Sequence, residues 1–239
     1  MSSVGFNTPA QFVLPEGGTL LLDKPLEWTS FDVVKKVRGM FRVKKVGHAG
    51  TLDPLATGLL ILCSGKQTKS IDHYQGQHKV YEGTMRFGAT TPSYDSATEA
   101  DAEYPYEHLS AESISEAAKR FEGRIEQIPP MYSALKKEGK RLYDLARKGI
   151  EVERNARPVE IFQFSITRYE APEATFTVEC SKGTYVRSLV HDIAKALGSG
   201  AYLTSLRRTM SGDYSVRDAW SLEGLQIEAD SIRQEKATA

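Results

Sequence analysis

Apolar runs cut by proline, glycine and short polar clusters divide this chain into short elements. Residues 18–23, Gly-Thr-Leu-Leu-Leu-Asp, read as a buried strand. Lys24-Pro25 ends it, because proline has no amide to give to a sheet. Thr29-Ser30-Phe31-Asp32 then places an acid three positions after a threonine, the pairing that caps a helix start. The helix that follows, through Phe41, is apolar on one face and basic on the other. Residues 47–58 read as a loop and 59–63 as a second buried strand. Lys79 to Phe87 alternates, with Val80, Glu82, Thr84 and Arg86 against Tyr81, Met85 and Phe87, as a sheet strand does.

The second half mixes both periods. Residues 90–106 are polar and acidic, which suggests an exposed loop. Residues 110–121 have helical spacing behind Ser110 as N-cap. Ile128-Pro129-Pro130-Met131-Tyr132 is extended, since the prolines forbid helix. Residues 140–148 form a short helix stopped by Gly149. Two alternating runs, 159–169 and 174–181, are joined by Glu170-Ala171-Pro172-Glu173 into a hairpin. A helix over 184–197 closes at Gly198, and 202–210 fits strand or helix. The expected organisation is a loose lead-in over 1–17, one catalytic domain over 18–220 and a fraying surface helix or tail over 221–239. The expected class is α+β with a mixed, largely antiparallel sheet.

Bulk properties narrow the picture. The 239 residues suffice for one large domain or two small ones. No apolar run is long enough to span a bilayer, and residues 1–18 lack the basic start and apolar stretch of a secretory signal, so a cytoplasmic protein is expected. Cys63 and Cys180 lie far apart inside apolar or strand-like runs and read as reduced, buried thiols. His73 and His78 are five apart, wrong for two metal ligands on one helical face, and no metal is expected. Thirty-one Lys and Arg balance 31 Asp and Glu, which taken alone argues mildly against nucleic acid. The distribution argues the other way. Lys35, Lys36, Arg38, Arg42, Lys44 and Lys45 crowd one segment, and Lys136, Lys137, Lys140, Arg141, Arg147, Lys148, Arg154 and Arg157 another.

The candidate chemistry centres on Gly47-His48-Ala49-Gly50-Thr51-Leu52-Asp53-Pro54-Leu55-Ala56-Thr57-Gly58. Pro54 biases Asp53 away from helical dihedrals, and the glycines permit tight turns. That mounts a carboxylate on a rigid loop before a buried strand. By spacing alone, an aspartate bonding its own turn is the commoner outcome.

A longer pattern changes that balance. Val46-Gly47-His48-Ala49-Gly50-Thr51-Leu52-Asp53-Pro54-Leu55-Ala56-Thr57-Gly58-Leu59-Leu60 resembles the signature of the TruB family of tRNA pseudouridine synthases. Leu20-Leu21-Leu22-Asp23-Lys24-Pro25 resembles that family's opening motif, and Lys79-Val80-Tyr81 its tyrosine segment. Gln127-Ile128-Pro129-Pro130-Met131-Tyr132-Ser133-Ala134-Leu135-Lys136 is similar to a further family motif. Cys180-Ser181-Lys182-Gly183-Thr184-Tyr185-Val186-Arg187 resembles its arginine segment, and Leu206-Arg207-Arg208 its late substrate segment. The likeness covers about residues 18–220. Ala49 stands where many members carry threonine. Many bacterial members also continue into a C-terminal RNA-binding domain of the PUA type, so this sequence resembles a short form.

The resemblance implies the pseudouridine synthase fold around a central RNA-binding cleft, and isomerisation of the T stem-loop uridine at position 55 of tRNA. It implies Asp53 as catalytic carboxylate, with Arg187 as its cationic partner and Tyr81 as stacking and proton-moving ring. His48, Tyr185, Leu206, Asp95, Lys24 and Lys136 are the implied substrate-binding residues. His48 would contact the nucleotide as it leaves its stack, and Lys136, with Lys140 and Arg141, would meet phosphates. The reaction breaks the N1–C1′ bond and joins C1′ to C5, so no redox cofactor is implied. A monomer acting on tRNA without an obligatory protein partner is expected. Three rivals remain: the relative that works in a guide-RNA particle, an RNA-binding module with decayed catalysis, and a nucleosidase or glycosidase. The last needs a second carboxylate at set separation, and no motif supplies one.

Overall fold

The computed structural model describes residues 6–137 and 139–238. The first five residues of the expected lead-in lie outside this range. The chain forms two compact units, residues 1–79 with 207–239, and residues 80–206.

The first unit opens with helix α1 (Pro9–Phe12) and strand β1 (Thr19–Lys24). Helix α2 (Ser30–Phe41) starts at the expected capping box, with Thr29 and Asp32 each closing on the other's backbone amide. Strand β2 (Val46–Ala49) runs antiparallel to β3 (Ala56–Ser64), pairing His48 with Leu62. Residues 47–49 therefore are strand, where a loop was expected. Their glycine content hid a ladder that main-chain groups make without help from side chains. Strand β1 lies on the other edge of β3, with Leu22 opposite Leu60. Helix α3 (Ile71–Gly76) follows. The continuous apolar run of β1 has a packing reason. Leu20 and Leu22 face a core with Phe12, Val33, Val37, Leu60 and Leu62, while Leu21 joins Leu59, Ile61 and Cys63 in a second.

The second unit begins within β4 (Lys79–Phe87), whose buried and open positions alternate as the sequence predicts. Two-residue strands β5 (Ala89–Thr90) and β6 (Ala102–Glu103) pair in the segment expected to be an exposed loop. Thr90, Thr91, Ser93 and Asp95 there are buried, because their polar groups bond within the segment. Helix α4 (Ala111–Arg120) starts at Ser110 as predicted, and β7 (Gly123–Gln127) follows. The basic segment holds a small hairpin, β8 (Lys136–Lys137) with β9 (Lys140–Arg141), and helix α5 (Leu142–Ala146). That helix is shorter than expected at its start, where Lys140 and Arg141 pair as strand. The predicted hairpin is β10 (Arg157–Glu170) with β11 (Glu173–Cys180), and β7 adds antiparallel to β10. Helix α6 (Val186–Ala196) leads to β12 (Ala201–Ser211), a strand throughout. Strand order here is β12-β4-β11-β10-β7. Gly83 in β4 has a steric role. A Cβ there would lie 2.7 Å from the Phe176 ring and 2.9 Å from the Ser205 carbonyl.

From Arg207 onward β12 belongs to the first unit, where the order is β1-β3-β12. Strand β13 (Tyr214–Ser215) pairs with its end. Helix α7 (Leu222–Thr238) is more than a surface helix, since Leu225 and Ala229 are buried in the core with Phe12 and α2. Leu222 and Ile232 pack against the same core, but the exposed Ile227 and the many polar residues between them blur the stripe in the sequence. No helix among the described residues is long and apolar enough to cross a membrane.

Candidate active site

Asp53 lies between two residues whose backbones are gripped. Ser30, in the first turn of α2, donates its hydroxyl to the Leu52 carbonyl at 3.1 Å and accepts the Leu52 amide at 2.9 Å. On the other side, the Pro54 carbonyl accepts from the Glu27 amide at 2.9 Å and the Lys24 ammonium at 3.3 Å. The Ala56 amide closes the turn onto the Asp53 carbonyl at 3.0 Å. Farther out, the buried Arg208 donates from Nε to the Leu59 carbonyl at 2.7 Å and from Nη2 to the Gly50 carbonyl at 3.0 Å. Gly58 is obligatory here. Its φ is +101°, and a Cβ would sit 2.3 Å from the Arg208 carbonyl oxygen. The loop from Gly50 to Gly58 is thus fixed by side chains from α2, β1 and β12.

Two cations behind this loop set its electrostatics. Lys24, expected at the substrate, is instead fully buried, and its ammonium also donates to the carbonyls of Pro25 at 2.9 Å and Trp28 at 2.6 Å. With three carbonyls to serve, its part is to hold the loop. Burial pushes its pKa down to about 8, against the pull of the Asp53 charge, and Arg208 adds to the lowering. Burial, then Arg208, also lowers the His48 imidazole below its usual value, so the ring is neutral at neutral pH. His48 sits on β2, three residues before the Thr51-Leu52-Asp53 turn. A neutral imidazole carries a flat face and one N–H.

The second unit holds the other expected residues. Arg187, in the first turn of α6, is buried. It donates to the carbonyls of Ser93 and Tyr132, each at 2.8 Å, and its Nε stands 3.5 Å from the Asp95 carboxylate. Asp95 in turn accepts from Ser93 Oγ at 2.6 Å and from the Ala97 amide at 2.9 Å. Its carboxylate is thus engaged both by its own loop and by the arginine. Tyr81 is buried on β4. Tyr185 caps α6, with its amide and carbonyl both bonded by the buried Gln127 side chain. Its ring faces the Arg157 guanidinium at 5.0 Å. Leu206 is half-buried on β12, and Lys136 is exposed on the β8–β9 hairpin.

Ser30, Gln127 and Arg208 are supporting residues whose roles the sequence reading missed. Gln127 and Arg208 lie inside family-like motifs and Ser30 inside the capping stretch of α2, and those positions are the only signal for them. Among the described residues no group of three or more His, Cys, Asp or Glu could hold a metal.

The fold is that of the pseudouridine synthases. The solved Cbf5-Nop10-Gar1 complex contains a chain that aligns over 99% of this one, with a TM-score of 0.75 and 27% identity. An archaeal box H/ACA sRNP Nop10-Cbf5 complex aligns over 91%, with a TM-score of 0.68 and 25% identity. This chain spans only 62% and 55% of those longer chains. Residues 38–186 match the family described as TruB family pseudouridylate synthase (N terminal domain), and residues 187–238 match tRNA pseudouridylate synthase B C-terminal domain. The chain belongs to the TruB family. Among its relatives, tRNA pseudouridine synthase B of Flavobacterium johnsoniae is 52% identical over 219 residues, 89% of this chain and 95% of that protein. The protein of the same name from Phocaeicola vulgatus is 53% identical over 215 residues, 87% and 91% of the two chains.

Proposed function

We propose that this protein isomerises a uridine of tRNA to pseudouridine, in the T stem-loop at position 55, with Asp53 as the catalytic carboxylate. The observation that carries this is the 52% identity spread over 95% of a tRNA pseudouridine synthase B, set against 27% to the Cbf5-complex chain. The gap favours tRNA acted on directly over a guide-RNA particle.

The chemistry asks for one carboxylate, as nucleophile or base, near a cation that favours its charged form. Asp53 is the carboxylate in this reading, and the resemblance to the TruB family implies Arg187 as the cation. After the N1–C1′ bond breaks, the base turns so that C5 meets C1′, and the C5 proton must leave. Tyr81 supplies a ring to stack on the uracil and a phenol for that proton. His48, Tyr185 and Leu206 contact the flipped nucleotide. Lys136, Lys140 and Arg141, exposed on their hairpin, hold phosphates. The protein acts as a monomer in the cytoplasm, with no cofactor and no obligatory protein partner.

Loss of the C5 hydrogen gives the test. Unmodified tRNA transcript tritiated at uracil C5 is incubated with the protein, and released tritium is counted. The expected result is one equivalent per tRNA, and none from a transcript with cytidine at position 55. Release from both transcripts, or from neither, overturns the proposal.

A further inference from the structure

Arg187 and His191 are four residues apart on α6 and so share one face. The segment Thr91–Ala97 lies along that face. Ser93 offers its carbonyl to Arg187 and Asp95 its carboxylate. Between them, Tyr94 turns its ring onto the His191 imidazole, with centroids 4.1 Å apart and planes 15° from parallel. His191 Nδ1 is buried with no hydrogen-bond partner among the described residues, so face contact holds the ring. On its far side the segment is tied to β12, where the Leu203 amide donates to the Tyr94 carbonyl at 3.0 Å and the Ser96 amide to the Leu203 carbonyl at 3.1 Å.

The backbone of Tyr94 is unusual. Its φ is +61°, in the left-handed region that a bulky side chain enters at a cost. Asparagine or glycine suits that conformation better, so a tyrosine there must gain from its ring. The left-handed step is what redirects the side chain away from the path of its neighbours and toward α6. Residues in such strained positions persist where the surroundings over-determine them, and they gather at functional sites.

We propose that the Tyr94–His191 stack is a positioning element for the reaction: it clamps the Asp95 loop to α6 so that Asp95 keeps the Arg187 guanidinium aligned. The proposal rests on the functional reading above and extends it to two side chains that reading does not use. Neither ring need touch the substrate. Their effect passes through Asp95, which is fixed at both carboxylate oxygens. Burial lowers His191 from its usual value, Lys195 adds to the lowering and Asp101 opposes it, which keeps the ring neutral and suited to stacking.

The test is a variant series on the full chain. Tyr94→Asn tolerates the backbone but loses the ring, Tyr94→Phe keeps the ring, and His191→Phe keeps a stacking partner. Expected for Tyr94→Asn is a kcat fall of about 10- to 100-fold at saturating tRNA, with tRNA Kd within about twofold. Tyr94→Phe and His191→Phe stay within about threefold of wild type. In an Asp95→Asn background Tyr94→Asn costs little more, because the pathway is already broken. Amide exchange at Ala97 speeds up in Tyr94→Asn and not in Tyr94→Phe. Unchanged kcat in Tyr94→Asn, a loss that lies in Kd, or full additivity with Asp95→Asn overturns the proposal. An inactive wild type instead overturns the functional reading. Exchange at Ala97 then reports on its own whether the stack clamps the loop, and unchanged exchange overturns the clamp as well.

Discussion

The loop that carries Asp53 and the side chain of Arg187 are fixed by different kinds of contact. Around Asp53 the grip falls on the backbone: Ser30 takes both main-chain groups of Leu52, and Lys24 and Glu27 take the carbonyl of Pro54. Around Arg187 the grip falls on the side chain itself, through two carbonyls and the Asp95 carboxylate. The difference suits their work. A frame that fixes the neighbouring backbone aims a carboxylate whatever partners its oxygens take. A cation that only has to keep its charge and direction is best fixed at its own donors. The planar guanidinium makes the second solution possible, because several donors can be tied without being used up.

The contrast predicts different failures. Arg187→Lys keeps the charge and loses the fork. Expected is a fall in kcat of about 100-fold with little change in melting temperature, measured on saturating tRNA. An equal loss of stability would mean that Arg187 is a structural strut. Lys24→Met removes the donor of three carbonyls from a fully buried site. It should cost roughly 3 kcal/mol of stability by denaturant titration, with kcat down about tenfold as the Asp53 loop loosens. A variant that loses neither would show the loop to be held without its lysine.

Smaller effects sharpen the same contrast. Replacing Lys136 and Lys140 with glutamate should weaken tRNA binding several-fold and lower the slope of log K against log salt by about 1.5, leaving kcat alone. An unchanged slope removes these lysines from the interface. Asp192, next to His191, is a control for α6. Burial raises its carboxyl from 3.8 to about 6, with Lys195 opposing. The folded state therefore holds a proton that the unfolded state has released between about pH 4 and pH 6, and the residue erodes stability as pH rises through that window. Asp192→Asn should gain about 1 kcal/mol at pH 7, discounted for its partial exposure, gain almost nothing at pH 4, and leave kcat unchanged. A loss of kcat would extend the reaction machinery past Arg187.

What was readable from sequence follows from how local each cause is. The capping box of α2, the alternation of β4 and the β10–β11 hairpin depend on near neighbours, and all stand in the structure. Asp53 was visible as a rigidly mounted loop carboxylate, and the longer motif raised it to a candidate. Lys24 was misplaced because nothing local distinguishes a lysine reaching substrate from one buried under a loop 30 residues away. The union of Asp95 with Arg187 and the stack of Tyr94 on His191 join residues about 90 positions apart, beyond any periodicity. Strand β2 hid behind its glycine, and the buried face of α7 behind a mostly polar helix.

The central claim is that Asp53 does the chemistry while other residues do the binding. Asp53→Asn keeps the size of the side chain and removes the carboxylate. Measured beside wild type on unmodified tRNA, it should bind within a few-fold of the wild-type Kd and lose pseudouridine formation by a factor on the order of 10⁴ or more. Pseudouridine formed at a rate near wild type by Asp53→Asn would contradict the account.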